Sequence, residues 1–368
     1  MVDNAVKEQI DRGSIYTLNS PLEVELAEVL CQTIPSAEMV RYTKGGGEAC
    51  SVAARIVRGV TGRDKILFCG YHGWHDWYQA ANFGVDPASG EYPFAGIEPI
   101  GVPKALAETV IPFVYGDMAR LTALFEKHRG EVAAVMMEPT RSDLPPAGYL
   151  ESVKSLVHEH EAVLIFDEVS CGWRMSIGGM QEYLGVTPDM TVVAKAMSNG
   201  FPMGAVVGAR KWMEPAARMF ISSSYWSDNV GLAASLATIR ELKRRDSATQ
   251  FRDIGEKLRA ALNQAISDAG LQGACTGLPY NLALSLAAPS GIDPRKISTL
   301  FVQEMARRKI YTNGTFKATL AHNDADIRQT GEAAAQALAV IKSGLDQGDL
   351  DRRLVVDLKK EPFRRQVR

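Results

Sequence analysis

The chain has 368 residues, 46% of them hydrophobic, and a formal net charge of −2. That is apolar material for a sizeable core and more than one domain, while the near-neutral balance, without a basic stripe interleaved with aromatics, argues against a nucleic-acid partner. No apolar run approaches the roughly 18 residues of a membrane span, and five scattered cysteines without a C-x-x-C pair argue against a disulfide framework or structural zinc and suit a reducing cytoplasm.

In chain order, the polar N-terminus "MVDNAVKEQIDRG" reads as a helix rather than a signal peptide. "TKGGGEACSVAARIVRG" places Gly45, Gly46 and Gly47 at the start of a second helical pattern. Buried strands follow at "KILFC" (65–69), "TVIPFV" (109–114), "EVAAVMME" (131–138), "AVLIFDE" (162–168), "TVVAK" (191–195) and "GAVVGA" (204–209). Between them "DMARLTALFEKH" and "GYLESVKSLVHEH" have helical spacing. Continuous apolar strands alternating with amphipathic helices predict an α/β fold with a mostly parallel sheet. After residue 229 the texture changes. "NVGLAASLATIRELKRR", "ATQFRDIGEKLRAALNQAISDAG" and "PRKISTLFVQEMARR" read as helices, and "NLALSLAA" and "KIYTNG" as strands, which predicts a smaller α+β domain. The basic end "LKKEPFRRQVR" reads as a solvated terminus.

Ligands of open α/β sheets bind at the carboxyl ends of strands. Three strands here run into an ionisable residue at that end: Glu138, Asp167 and Lys195. Singly, each has an ordinary explanation, as a turn cap or a solvated charge. Together they place an amine and a carboxylate on one sheet. A lysine buried there would lose its charge easily, and the neutral amine would be a nucleophile toward an aldehyde. A nearby aspartate could hold a heterocyclic nitrogen protonated. Pyridoxal 5′-phosphate needs this pairing, plus a cradle for its phosphate. Gly45, Gly46 and Gly47 would supply backbone N–H groups at a helix N-terminus. The run is not a Walker loop, since no G-K-[ST] follows.

"RYTKGGGEA", "TGRDKILFCGYHG", "LIFDEVSCGWR", "PDMTVVAKAMSNGFPMGAVVGAR" and "ISSSYWSDNVGLAASLATI" occur in an order and spacing that resemble the class III pyridoxal-phosphate aminotransferases of subgroup II. The resemblance runs from about residue 13 to 345 and is nearest the branch like glutamate-1-semialdehyde aminomutase. It implies PLP fold type I, with a large PLP-binding domain over 13–235, a small C-terminal domain over 236–345 and a tail over 346–368. It implies that Lys195 carries pyridoxal 5′-phosphate as a Schiff base and that Asp167 bonds the pyridine nitrogen. Val169 and Tyr71 would take the two ring faces, and Gly45, Gly46 and Gly47 the phosphate. Ser224 falls where the family has a threonine reaching the partner subunit's phosphate, so a homodimer with shared sites is implied. Glu138 falls at the family's strand-end glutamate near the substrate. His72 is counted with the cofactor-binding set, although a backbone carbonyl would suffice as its partner. No site residue is expected to bind a metal. The partners implied are a small-molecule amino donor and a carbonyl acceptor.

The sequence departs from the family pattern in three ways. The glycine run lacks the hydroxyls of the usual phosphate loop; Ser224 replaces threonine; and the chain starts inside the family match, so 1–12 reads as the remnant of a longer N-terminal segment that helps wall the substrate site. The implied activity is amino-group transfer between a donor and a keto or aldehyde acceptor. The alternatives are an aminomutase, which moves the amino group within one substrate, and a truncated, non-catalytic paralogue.

Overall fold

The computed structural model describes residues 1–358 except Pro87, Pro93 and Ala95; the basic tail from Lys359 on lies outside the described residues. The chain divides into two compact units between Asp246 and Ser247.

The first unit is built on seven strands: β1 (Met39–Thr43), β2 (Lys65–Cys69), β3 (Val110–Pro112), β4 (Val132–Met137), β5 (Val163–Asp167), β6 (Met190–Val193) and β7 (Gly204–Gly208). Their order is β1-β7-β6-β5-β4-β2-β3. β7 runs antiparallel to both of its neighbours, while the remaining pairs are parallel. The predicted mostly parallel sheet is therefore present. Its apolar runs are continuous because both faces are covered. On one face Ile66, Phe68, Ala134, Met136, Ile165 and Val192 join the core formed with helix Gly46–Thr61. On the other, Leu67, Cys69, Val135, Met137, Leu164 and Phe166 pack with helices Met118–Lys127 and Tyr149–Glu159. Burying each large apolar side chain contributes about 1.5–3 kcal/mol, so the alternation along each strand holds the pairing register.

Among the elements of this unit that were not anticipated are a helix and an edge strand. Helix Pro21–Thr33 opens on a capping box, in which Ser20 Oγ accepts from Leu22 N at 3.2 Å and Ser20 N donates to Glu23 Oε1 at 2.7 Å. β1 is short and, except for Thr43, only partly buried. The expected boundary at 235/236 lies inside helix Asn229–Arg244, which belongs to the first unit. Its Ala234 is buried with Val2 and Val6 of helix Val2–Arg12, with Val230 and Ala237 packed beside them.

The second unit is α+β. Its three-stranded antiparallel sheet has the order β10-β9-β8, with β8 Gly273–Leu278, β9 Asn281–Leu286 and β10 Thr315–Phe316. Helices Ser247–Asp268, Pro294–Arg307 and Asp324–Gln347 share its core through Leu262, Leu300 and Leu338. The expected strand "KIYTNG" is not one. Residues 309–314 turn into β10, because Gly314 has φ +98° and its N–H donates to Thr312 Oγ1 at 3.0 Å. Thr315 N donates to Asn313 Oδ1 at 3.1 Å, so side chains here compete for the backbone groups a strand would need.

Glu168, just past β5, is 1% exposed and holds the chain at residues 180–181. It accepts from Met180 N at 2.6 Å and from Gln181 N and Nε2, both at 3.0 Å. Burial pushes its carboxyl up from 4.5 to about 7 against those hydrogen bonds. The folded state thus binds more protons than the unfolded one between these values, and stability is fully present below pH 4.5 and lost as pH rises through about 7. The stability advantage of the wild type over Glu168→Gln should therefore shrink by about 3 kcal/mol across that window. Denaturant titrations at several pH values measure it, and a gap that stays level would contradict the assignment.

Candidate active site

The register of the parallel strands brings the chemistry to one edge. Cys69 pairs with Met137, Met137 with Phe166, and Asp167 with Val192. The segments leaving β2, β4, β5 and β6 carry Tyr71 and His72, Glu138, Asp167 and Val169, and Lys195. β1 runs in the same direction, and Gly45–Gly47 follow it.

Asp167 is 3% exposed. Its Oδ1 accepts from Val169 N at 2.9 Å, and its Oδ2 lies 2.8 Å from His72 Nδ1 and accepts from Cys50 Sγ at 3.3 Å. His72 Nε2 faces the Cys69 carbonyl at 3.2 Å. A carbonyl only accepts, so Nε2 carries a hydrogen. One further proton then lies between Nδ1 and the carboxylate. The expected carbonyl contact of His72 is present, and its second nitrogen reaches Asp167 as well. Cys50 is fully buried, and its thiol is pushed well up by burial and by Asp167, so it acts as a neutral donor.

Lys195 departs from the sequence expectation. β6 ends at Val193, and Lys195 opens a short 3-10 turn with φ +45°. In the single chain it is exposed rather than buried, so burial does not account for its chemistry. Its Nζ donates to Ser170 Oγ at 2.8 Å. Ser170 follows Asp167 by the same number of residues as Lys195 follows Val192, the register partner of Asp167. The adjacent strand ends are thus tied side chain to side chain.

Helix Gly46–Thr61 begins with an extended Gly45 and no side-chain cap. Its first intrahelical bond runs from Ala49 N to Gly45 O at 2.9 Å, so the N–H groups of Gly46, Gly47 and Glu48 precede it and point out of the helix. Only glycine fits at 46, where a Cβ would stand 2.7 and 2.9 Å from Val169 Cγ1 and Cγ2. Gly47 meets Gly73 backbone to backbone: a Cβ on Gly73 would stand 2.7 Å from Gly47 Cα. His75 lies beside that contact, and its buried Nδ1 has no hydrogen-bond partner among the described residues. Behind the loop, Lys44 Nζ pairs with Asp228, and Glu48 Oε1 accepts from Trp226 Nε1 at 2.9 Å.

Tyr71 is 41% exposed, with its ring edge-on to Phe94 at 5.3 Å and Tyr78 at 6.1 Å. Its N–H donates to Glu138 Oε2 at 3.3 Å, and Arg141 Nε lies 3.2 Å from the same oxygen. Burial and Asp167 push the Glu138 carboxyl up. Ser224 lies exposed in the loop 221–227, away from the strand ends named above in sequence. Ser170, Cys50 and His75 were not singled out from sequence. Ser170 could have been found by counting equal offsets from paired strand ends; Cys50 depends on how helix Gly46–Thr61 packs on the sheet, and His75 on the close approach of two loops, which spacing does not reveal.

The fold is that of fold type I pyridoxal-phosphate enzymes. A solved omega-transaminase from Sphaerobacter thermophilus is similar with a TM-score of 0.81 and 29% identity, covering 92% of this chain and 82% of that one. Residues 1–272 match the family described as aminotransferase class-III, and the chain belongs to that family. It is 30% identical to a 3-aminobutyryl-CoA aminotransferase of Cloacimonas acidaminovorans, over 94% of this chain and 81% of the relative. It is 31% identical to a glutamate-1-semialdehyde 2,1-aminomutase of Methanosarcina acetivorans, over 92% of this chain and 83% of the relative. The protein is an enzyme of amino-group chemistry with pyridoxal 5′-phosphate as its cofactor. The residues present fit that group: outward N–H donors at a helix start with no room for a side chain at Gly46, a buried carboxylate hydrogen-bonded by its neighbours, and an amine at the lip.

Gly46→Ala should lower stability by about 1–3 kcal/mol through the clash with Val169, and should weaken cofactor retention. The double variant with Val169→Ala should recover part of the stability. Thermal melts and cofactor titration of the apoprotein measure both, and additive effects of the two substitutions would refute the contact.

Proposed function

We propose that this chain is an active aminotransferase in which Lys195 attaches the cofactor and moves the proton, with Asp167 as the partner of the ring nitrogen. The observation that carries this is the tie between neighbouring strand ends: Asp167 is in register with Val192, and Lys195 Nζ rests on Ser170. Pyridoxal 5′-phosphate, when bound, supplies an electron sink for the carbon bearing the substrate's amino group. Lys195 Nζ would be the nucleophile that holds the cofactor and, when free as an amine, would carry a proton to and from the substrate. Ser170 Oγ holds Nζ at the lip. Asp167 keeps a proton on the ring nitrogen, while His72, Cys50 and Val169 N–H fix its carboxylate. The N–H groups of Gly46, Gly47 and Glu48 hold the phosphate at the helix's positive end. Val169 and Tyr71 would bound the ring, and Glu138 orients the Tyr71 backbone.

Amino-group transfer between separate molecules needs a donor and an acceptor; a mutase needs neither. The resemblance to the Methanosarcina protein keeps that second reading in view, and product formed without an added donor would select it. The reading as a non-catalytic paralogue has less support, because Lys195, Asp167 and Tyr71 all lie at one sheet edge.

The same reading extends to a homodimer. Phe220, Trp74 and Tyr225 are 91%, 70% and 69% exposed in the single chain. Trp74 flanks His75 at the glycine loop, and Phe220 and Tyr225 flank the segment bearing Ser224. Such aromatics suit a second copy, with Ser224 reaching the partner's phosphate. Among the described residues no helix is long and apolar enough to cross a membrane. The five cysteines are unpaired, which fits a reducing cytoplasm.

Borohydride reduction of the holoprotein should fix the cofactor on the peptide containing Lys195, read by peptide mass mapping, and Lys195→Ala should lose the adduct and at least about 10²-fold in turnover. An adduct on another lysine would overturn the assignment. Phe220→Asp should shift the protein toward monomer in light-scattering chromatography and weaken cofactor retention with it. A wild type that is monomeric at micromolar concentration would refute the shared site.

A further inference from the structure

We propose that His75 is a further cofactor-binding residue, whose Nδ1 gives the cofactor phosphate the side-chain hydrogen bond that the glycine loop cannot. The inference rests on the reading that the phosphate sits at the start of helix Gly46–Thr61. Gly45, Gly46 and Gly47 offer N–H groups and no hydroxyl. At Gly47 a Cβ would point at the imidazole, standing 3.3 Å from both Cε1 and Nδ1 of His75 and 3.3 Å from Gly73 Cα. The ring therefore fills the space a side chain at 47 would occupy. Its Nδ1 is buried and has no hydrogen-bond partner among the described residues. A buried polar atom without a partner is costly and calls for one. The atom lies beside a helix start whose N–H groups await an anion.

The ring is also held in place. Trp74 stacks on it with centroids 4.7 Å apart and planes 17° apart. The His75 carbonyl accepts from Tyr78 N at 2.9 Å and Gln79 N at 3.1 Å, which anchors its backbone. A neutral imidazole carries its hydrogen on the nitrogen that faces an acceptor, so a bound phosphate oxygen selects the Nδ1–H tautomer. Gly47 and His75 thus form one unit: the missing side chain at 47 admits the ring that takes over its bond.

The test compares full-length wild type with His75→Ala, His75→Asn and the double variant His75→Ala/Gly47→Ser. Apoproteins are titrated with pyridoxal 5′-phosphate and with pyridoxal, and the ³¹P resonance of each holoprotein is recorded. His75→Ala should weaken pyridoxal 5′-phosphate binding roughly tenfold, leave pyridoxal binding unchanged and move the phosphorus resonance. His75→Asn, which keeps a donor near the Nδ1 position, and the double variant, which returns a hydroxyl, should each recover affinity. Wild-type affinity and resonance in His75→Ala would overturn the inference alone. Equal weakening for both compounds would also overturn it, because that marks a structural effect. A wild type that takes up neither compound would instead overturn the reading of the whole site.

Discussion

The hydrogen-bond register of four parallel strands is the constraint on which the rest of the molecule depends. Cys69, Met137, Phe166 and Thr191 lie in successive register across β2, β4, β5 and β6. A slip of one residue would turn each strand's side chains to the opposite face. Two separate cores oppose this, since Ile66 and Phe68 belong to one and Leu67 and Cys69 to the other. Packing that has no part in the chemistry thus determines which residues meet at the edge. The donor from Lys195 to Ser170 and the cluster around Asp167 are downstream of it.

The charges at that edge are ordered by burial. Asp167 is buried, and its charge raises its neighbours: the Glu138 and Glu168 carboxyls and the Cys50 thiol all move up, burial being the larger cause in each. The amine of Lys195 stays at the rim. This gradient suits a group with an electron-poor ring directed inward and a reactive carbon directed outward.

Much of the fold was legible because fully buried strands produce apolar runs that little else produces. "AVLIFDE" and "EVAAVMME" correspond to β5 and β4 within a residue or so at each end. β1 was not legible: four of its five residues are half-buried at the sheet's edge, so "MVRYT" carries neither a run nor an alternation. Helix Pro21–Thr33 did carry its signature, a serine three residues before a glutamate with proline between, but its weak apolar face hid it. "KIYTNG" misled because Ile310 and Tyr311 resemble strand residues, while the Thr-Asn-Gly that follows dictates a turn. At the site, Asp167 and Lys195 could be found because charged residues at the ends of apolar strands stand out. The burial expected of Lys195 failed because the strand ends at Val193, before it. Cys50 owes its place to the packing of helix Gly46–Thr61 on the sheet, and His75 to the close approach of Gly47 and Gly73.

Asp167 and Glu168 are neighbours in sequence with opposite duties. One gathers His72, Cys50 and the Val169 N–H at the candidate site; the other, facing away, clamps the backbone at Met180 and Gln181. Successive residues leaving a strand point to opposite sides, and that alone separates the two tasks. Adding or deleting a single residue at the end of β5 would exchange the acids, leaving His72 and Cys50 without their carboxylate and the clamp without its anchor at once. The segment should therefore accept changes of side chain far more readily than changes of length, and insertions tolerated in nearby loops should be absent between Phe166 and Val169 in any working variant.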